Sequence, residues 1–164
     1  MGKIYKIEKS RKEYTCSRCG KKIEKGQPYL RGELNFSKPI IRCPKCGLQH
    51  WEVTTSEYQL NVGEIVYRWN ENYEVSEDGR DNIISDLEEI KDELQDRLDN
   101  MPEGLQQGDT GCLLQARIDS LDGAIYDLES IDFDDDNFDD DVDEEDRICA
   151  YRDQIDDALS NIEM

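Results

Sequence analysis

Histidine occurs once in these 164 residues, at His50. A single imidazole excludes a His-Glu-x-x-His metalloprotease helix and leaves an HNH-type nuclease without the further histidines it needs. No glycine-rich phosphate loop and no nucleophile elbow occurs. Catalysis therefore has few tools here, and the chain is expected not to be an enzyme. Paired carboxylates for two-metal chemistry survive that count, but most Asp and Glu fall on expected solvent faces of helices. Long apolar runs are missing too. Nowhere do 18 consecutive apolar residues occur, so no membrane span is expected. The first fourteen residues alternate lysine with short apolar residues and carry no apolar stretch of a secretory signal. Lys6 stands where a myristoylation signal after Gly2 requires Ser or Thr. These absences point to a cytosol. Apolar residues are scarce at 36%, against 37% charged, so any core is small. Positive charge is scarce after residue 50. Residues 51–164 hold 7 Lys/Arg against 36 Asp/Glu, whereas residues 1–50 hold 13 against 4. The net charge of −20 thus conceals a basic segment and a strongly acidic one, which suggests two surfaces with different partners.

Cysteine is what stands out among the residues present. Cys16 and Cys19 form one Cys-x-x-Cys pair, Cys43 and Cys46 a second, and each is followed directly by glycine, Gly20 and Gly47. Two intervening residues let both thiolates of a pair reach one ion. The glycine permits the tight turn that aims backbone N–H groups at sulfur. Two such pairs supply the four ligands of a closed tetrahedral Zn2+ site. With every position filled by protein there is no place for a catalytic water, so the site is expected to be structural. Free or disulfide-bonded cysteines and an iron–sulfur centre are the alternatives. His50, four residues after Cys46, can replace a cysteine ligand or stand in a strand beside the site. Cys112 and Cys149 have no pair partner and are expected as small buried or half-buried helix residues.

Cys-Ser-Arg-Cys-Gly and Cys-Pro-Lys-Cys-Gly resemble the two knuckles of a zinc ribbon, a small β module of transcription and nucleic-acid-handling proteins. Tyr14 to Gly26 is also similar to the opening of PARP-type zinc fingers of small phage and bacterial proteins. Those fingers place a histidine in the second pair, where this chain has Cys43. The resemblance covers the first third only. It implies a zinc-stabilised recognition module and does not name a partner.

The pattern along the chain predicts an α+β protein: a basic zinc ribbon over residues 1–54, then an acidic helical region over 55–164. Lys3–Ile7 alternates as an exposed strand does. Ile23 to Leu34, with Gly26, Pro28 and Gly32, reads as a turn leading into a strand. Pro39 to Arg42 leads into the second cysteine pair, and His50 to Thr54 is rich in β-formers. Thr54-Thr55-Ser56 predicts an N-cap for an amphipathic helix over about 56–73, slightly weakened by Gly63. Asp78-Gly79 reads as a break, and Asp81 as the cap of a second helix bearing Ile83, Leu87, Ile90, Leu94, Leu98 and Met101. Pro102, Gly104, Gly108 and Gly111 make the next connection. A third helix carries Leu114, Ile118, Leu121, Ile125, Leu128 and Ile131. Helices two and three are expected to pair as an antiparallel coiled-coil hairpin. Residues 132–146 form an acidic linker that cannot fold alone and lacks the central glycine of an EF-hand loop. A last helix bears Ile148, Tyr151, Ile155, Leu159 and Ile162.

Lysine and arginine crowd the cysteine segment, with Tyr5, Tyr14, Tyr29 and Phe36 interleaved. Lys12, Arg18, Lys21, Lys22, Arg42 and Lys45 are candidate nucleic-acid contacts, since cations neutralise phosphates and rings stack on bases. A soluble module whose aromatics form its core fits the same residues. The acidic helices have two readings as well. One is a solvated face for protein–protein assembly, with a second copy or another protein. The other is a carboxylate ladder that mimics a duplex, as phage inhibitors of nucleases and repressors use. The expectation from sequence is a non-enzymatic zinc-binding interaction protein. The DNA-mimic inhibitor and, further off, a metal-dependent nuclease are the alternatives.

Overall fold

A computed structural model describes residues 2–34, 37–72, 74–133 and 143–163. Phe36, Tyr73 and most of the acidic linker lie outside the described residues. The architecture is α+β, a small antiparallel sheet followed by helices. The chain divides into two compact units, Met1–Gly63 and Glu64–Met164, and the division falls within one helix.

In the first unit, β1 (Lys3–Ile7), β4 (Tyr29–Glu33) and β5 (Ile40–Arg42) form an antiparallel sheet in the order β1-β4-β5. Ile7 faces Tyr29 and Tyr5 faces Arg31 across the first ladder, while Leu30 faces Arg42 across the second. β2 (Tyr14–Thr15) and β3 (Lys22–Ile23) make a separate two-stranded ribbon. Between β3 and β4 the chain turns at Gly26, whose φ of 93° is one that side chains resist. Ser10 is buried beneath that turn. Its hydroxyl donates to Glu24 O at 2.6 Å and accepts from Gly26 N at 3.0 Å, and its N–H donates to Gln27 O.

β4 has two working faces because its residues alternate. Tyr29 packs on one side with Cys16, Ile23 and Cys43, and Ile7, Tyr14 and Ile41 close over that cluster. On the other, Gly32 leaves room for Leu48 and Val53, both 3.0 Å from where its Cβ would stand. His50–Val53 is a single 3-10 turn rather than the strand that its β-formers suggest. Glu52 causes this: its Oε2 accepts from Gln49 N at 2.9 Å, while Gln49 O accepts from Glu52 N at 3.2 Å.

Helix α1 spans Glu57–Asn72. The hydroxyl of Ser56 accepts from Gln59 N, and Ser56 N donates to Thr54 Oγ1 at 3.1 Å, so the Thr-Thr-Ser cluster does cap it. Gly63 is more than a weak point. A Cβ there would lie 2.3 Å from Cδ2 of Trp51, so the glycine admits the indole against the helix.

In the second unit, α2 (Glu77–Asp99) and α4 (Asp109–Glu129) are joined through a one-turn helix α3 (Glu103–Gln106), and α5 covers Glu144–Ser160. α2 and α4 run antiparallel. Arg80 Nη1 donates to Ile131 O at 2.6 Å, and Lys91 Nζ meets Asp122 Oδ1 at 3.0 Å. Ile83, Leu87, Ile90 and Leu94 bury one stripe, and Leu114, Ile118, Leu121, Ile125 and Leu128 the facing one. α5 runs antiparallel to α4: Glu163 N donates to Ser120 Oγ at 2.9 Å, and the rings of Phe133 and Tyr151 lie 4.6 Å apart. Trp69, in the last turns of α1, donates its indole N–H to Asp156 Oδ1. Two expectations fail here. α2 starts at Glu77, with Ser76 as its cap accepting from Gly79 N at 3.1 Å, so Asp78-Gly79 opens the helix rather than breaking the chain before Asp81. Gly111 lies inside α4, where a Cβ would be 2.0 Å from Gln106 O. In both places a backbone carbonyl needs the space, so glycine marks close approach and not a loop.

Candidate metal centre

The two cysteine pairs sit at the ends of short strands: Cys16 follows β2 and Cys43 follows β5. Each pair closes a turn of the same form. Cys16 O accepts from Gly20 N at 3.0 Å, and Cys43 O accepts from Cys46 N and Gly47 N at 3.1 and 3.2 Å. The turns end in left-handed residues, Gly20 at φ 70° and Gly47 at φ 66°, a conformation that costs any side chain. The turns are also tied to each other. Cys43 N donates to Cys16 Sγ at 3.3 Å, and both the backbone N–H and the hydroxyl of Ser17 donate to Ile41 O. This brings together two pairs separated by a long loop.

The four sulfurs lie within 4.8 Å of one another, and Cys19 Sγ and Cys43 Sγ are 3.8 Å apart. A tetrahedron with metal–sulfur bonds of about 2.3 Å has edges of about 3.8 Å. A disulfide needs about 2.0 Å, and all six cysteines are free. The charges ask for a cation. Burial pushes the Cys16 thiol up, but the N–H groups of Cys19, Cys43 and Arg18 point at its sulfur and bring it down to about 6. Burial likewise opposes ionisation of Cys43, but the Cys46 N–H together with hydrogen bonds from the Cys46 and Cys19 side chains outweighs it, so that thiol is also lowered. Cys46 takes the consequence. Hydrogen bonding with the Cys19 sulfur, then burial, raises it to about 12. Four thiolates cannot share this space unless a metal ion neutralises them.

His50 is exposed and does not belong to the tetrad. Cys112 and Cys149 are exposed as well, contrary to the burial expected of them. Among the described residues no other group of His, Cys, Asp and Glu has the spacing of a metal site.

Glu52 carries no signal in the sequence as a member of the site, yet it organises the surroundings. It is 5% exposed, and its Oε1 accepts from Arg42 Nη2 at 2.6 Å, Arg42 Nε at 3.2 Å and Arg18 Nη2 at 3.1 Å. Arg18 lies between the first two cysteines and Arg42 just before the third, so one buried carboxylate braces both turns. Arg42 also donates to the Ser17 hydroxyl, and Arg18 stacks on Trp51, 6.0 Å from its ring centre. Two of the six candidate nucleic-acid residues thus commit their charge internally. The other four are exposed: Lys21, Lys22 and Lys45 beside the turns, and Lys12 with its Nζ 5.4 Å above the Tyr14 ring. Only the Gln-x-x-Glu spacing of Gln49 and Glu52, a helix-start pattern, hints at a local role for that carboxylate. Comparison with known protein families, with curated proteins and with solved structures finds no match to this chain.

Proposed function

We propose that this protein is a non-enzymatic, zinc-stabilised recognition protein. Its first unit is a zinc ribbon-like module, and its acidic helices serve protein–protein assembly. The observation that carries this reading is the cysteine tetrad: four protein sulfurs within 4.8 Å of one another, enough to fill every position around one tetrahedral ion, as structural zinc sites require. Thiolate ligands favour zinc over calcium or magnesium. The small cluster around Tyr29 would bury too little apolar surface to hold the sheet alone, so zinc supplies folding free energy directly.

The second unit supports the assembly role. Glu88, Glu89, Asp92, Glu93 and Asp96 line a shallow groove along α2, a surface that suits a basic protein partner. The same row supports the second reading, an inhibitor that imitates nucleic acid. The experiment is made on the purified zinc-loaded chain with added magnesium or manganese. DNA and RNA should remain intact, and light scattering should show self-association or a stoichiometric complex with a basic nucleic-acid-binding protein. Replacing the α2 carboxylates by their amides should abolish that association. Cleavage of either nucleic acid, or a monomer indifferent to basic proteins, would refute the proposal.

A further inference from the structure

Beside the metal cluster, on the same face of the sheet, is a concavity of about 430 Å³ lined by Ile7, Lys9, Arg11, Tyr14, Tyr29 and Arg31. Among the described residues no carboxylate lines it. Its cations come from two places. Arg31 stands on β4, two residues from Tyr29 and therefore on the same face. Lys9 and Arg11 flank Ser10, the buried residue held by four hydrogen bonds to the β3–β4 turn. That anchor fixes the point from which both side chains leave. The floor is the Tyr14–Tyr29 pair, with ring centres 4.9 Å apart. Arg31 binds Glu33 through Nη2, but its Nε is buried and has no hydrogen-bond partner among the described residues. A buried donor without an acceptor is costly, and here it lies in the wall of a cationic pocket.

Tyr5 adds a second feature. It pairs with Arg31 across the β1–β4 ladder, so the two side chains share a face, and it is 41% exposed, one of the few large rings that solvent reaches. Directly opposed residues have Cβ atoms about 5 Å apart, roughly the distance between a phosphate and its own base. We infer that this face binds single-stranded nucleic acid, one backbone phosphate seated among Lys9, Arg11 and Arg31 and the adjoining base stacked on Tyr5. The exposed Lys3 of β1, on the same face of the strand as Tyr5, extends the positive surface, as a polyanion needs and a lone ion does not. The inference rests on the first unit being a recognition module; it does not depend on what the acidic helices bind.

The test uses the full zinc-loaded chain and a fluorescently labelled 12-nucleotide oligothymidylate, followed by anisotropy across a salt series. Binding should weaken with salt. Lys9→Gln with Arg11→Gln should lower affinity about tenfold and reduce the salt slope by about 0.7, the share of one phosphate that is no longer neutralised. Tyr5→Ala should weaken binding about fivefold or more with the slope unchanged, because stacking releases no counterions. Lys25→Gln, an exposed lysine outside the pocket, should change neither. Zinc content and the far-ultraviolet spectrum of each variant separate misfolding from a weakened binding face, and a chain that holds zinc but not the strand sinks this inference alone. Absence of binding at low salt overturns it, as does an equal loss in Lys25→Gln. Complete displacement by millimolar inorganic phosphate, with Tyr5→Ala behaving as wild type, also overturns it and marks a site for free phosphate.

Discussion

Glu52 and Gly63 show how single residues hold the metal-bearing unit in shape. Glu52 accepts from two arginines that belong to the two cysteine turns, and all three groups are largely out of water. Removing one partner of such a cluster strands the others' charge. Glu52→Ala should therefore cost about 3 kcal/mol of stability and loosen metal binding, although no ligand has changed. Urea unfolding followed by tryptophan fluorescence measures the first effect and competition with a chelator the second; unchanged midpoints would contradict the bracing role. Gly63 poses a contest of two effects. Helix propensity alone says that Gly63→Ala gains about 1 kcal/mol. The Cβ would stand 2.3 Å from the Trp51 ring, and overpacking of that kind costs about 2 kcal/mol. The clash should win, so the variant should melt below wild type, with altered tryptophan emission. The cysteines are legible in the sequence because metal chemistry fixes their spacing. Glu52 is not, because a carboxylate in a charged chain looks the same whether it faces solvent or two buried arginines.

At the scale of elements, periodicity carries most of the information. The apolar stripes of α2, α4 and α5 are those read from the sequence except at Ile148, which is exposed at the start of α5, and the antiparallel pairing of α2 with α4 follows from their matched lengths. The ends are harder to read. Asp78-Gly79 looks like a break, yet Ser76 supplies the cap, and the acidic residues Glu77 and Asp78 then sit at the positive end of the helix dipole. Ser76→Ala should destabilise α2 by about 1 kcal/mol. Amide exchange should quicken in the first turn of α2 and stay slow around Leu87; uniform exchange throughout the helix would argue against a local cap. Gly79 and Gly111 mislead for a shared reason. Sequence shows that a glycine is present, and only packing shows whether it serves a turn or a crowded backbone.

At the scale of the whole molecule, the first unit holds 13 Lys/Arg against 6 Asp/Glu and the second 7 against 34. The apolar core of the second unit consists of helices, whereas the first is built around four sulfurs. Their responses to metal removal should differ: a chelator should erase the sheet and leave most helical signal. Proton bookkeeping offers a further check. Cys16, lowered to about 6, is already a thiolate at neutral pH, whereas Cys46, raised to about 12, must give up its proton to a metal. A group lowered in the folded state favours folding above its ordinary pKa, and that contribution is lost as pH falls through about 6. Without metal the sheet is lost and the four thiols return to their ordinary range, so zinc addition at pH 7 should release close to four protons per ion, which calorimetry in buffers of different ionisation enthalpy reads directly. Release of markedly fewer would contradict the coupling of metal binding to folding in this unit. The central claim is that four cysteines hold one zinc ion, and native mass spectrometry of the purified chain tests it most directly. The account predicts one zinc per chain, absent from Cys16→Ser and Cys43→Ser and retained in Cys112→Ser. A chain without zinc whose mass reveals disulfides among Cys16, Cys19, Cys43 and Cys46 would contradict it.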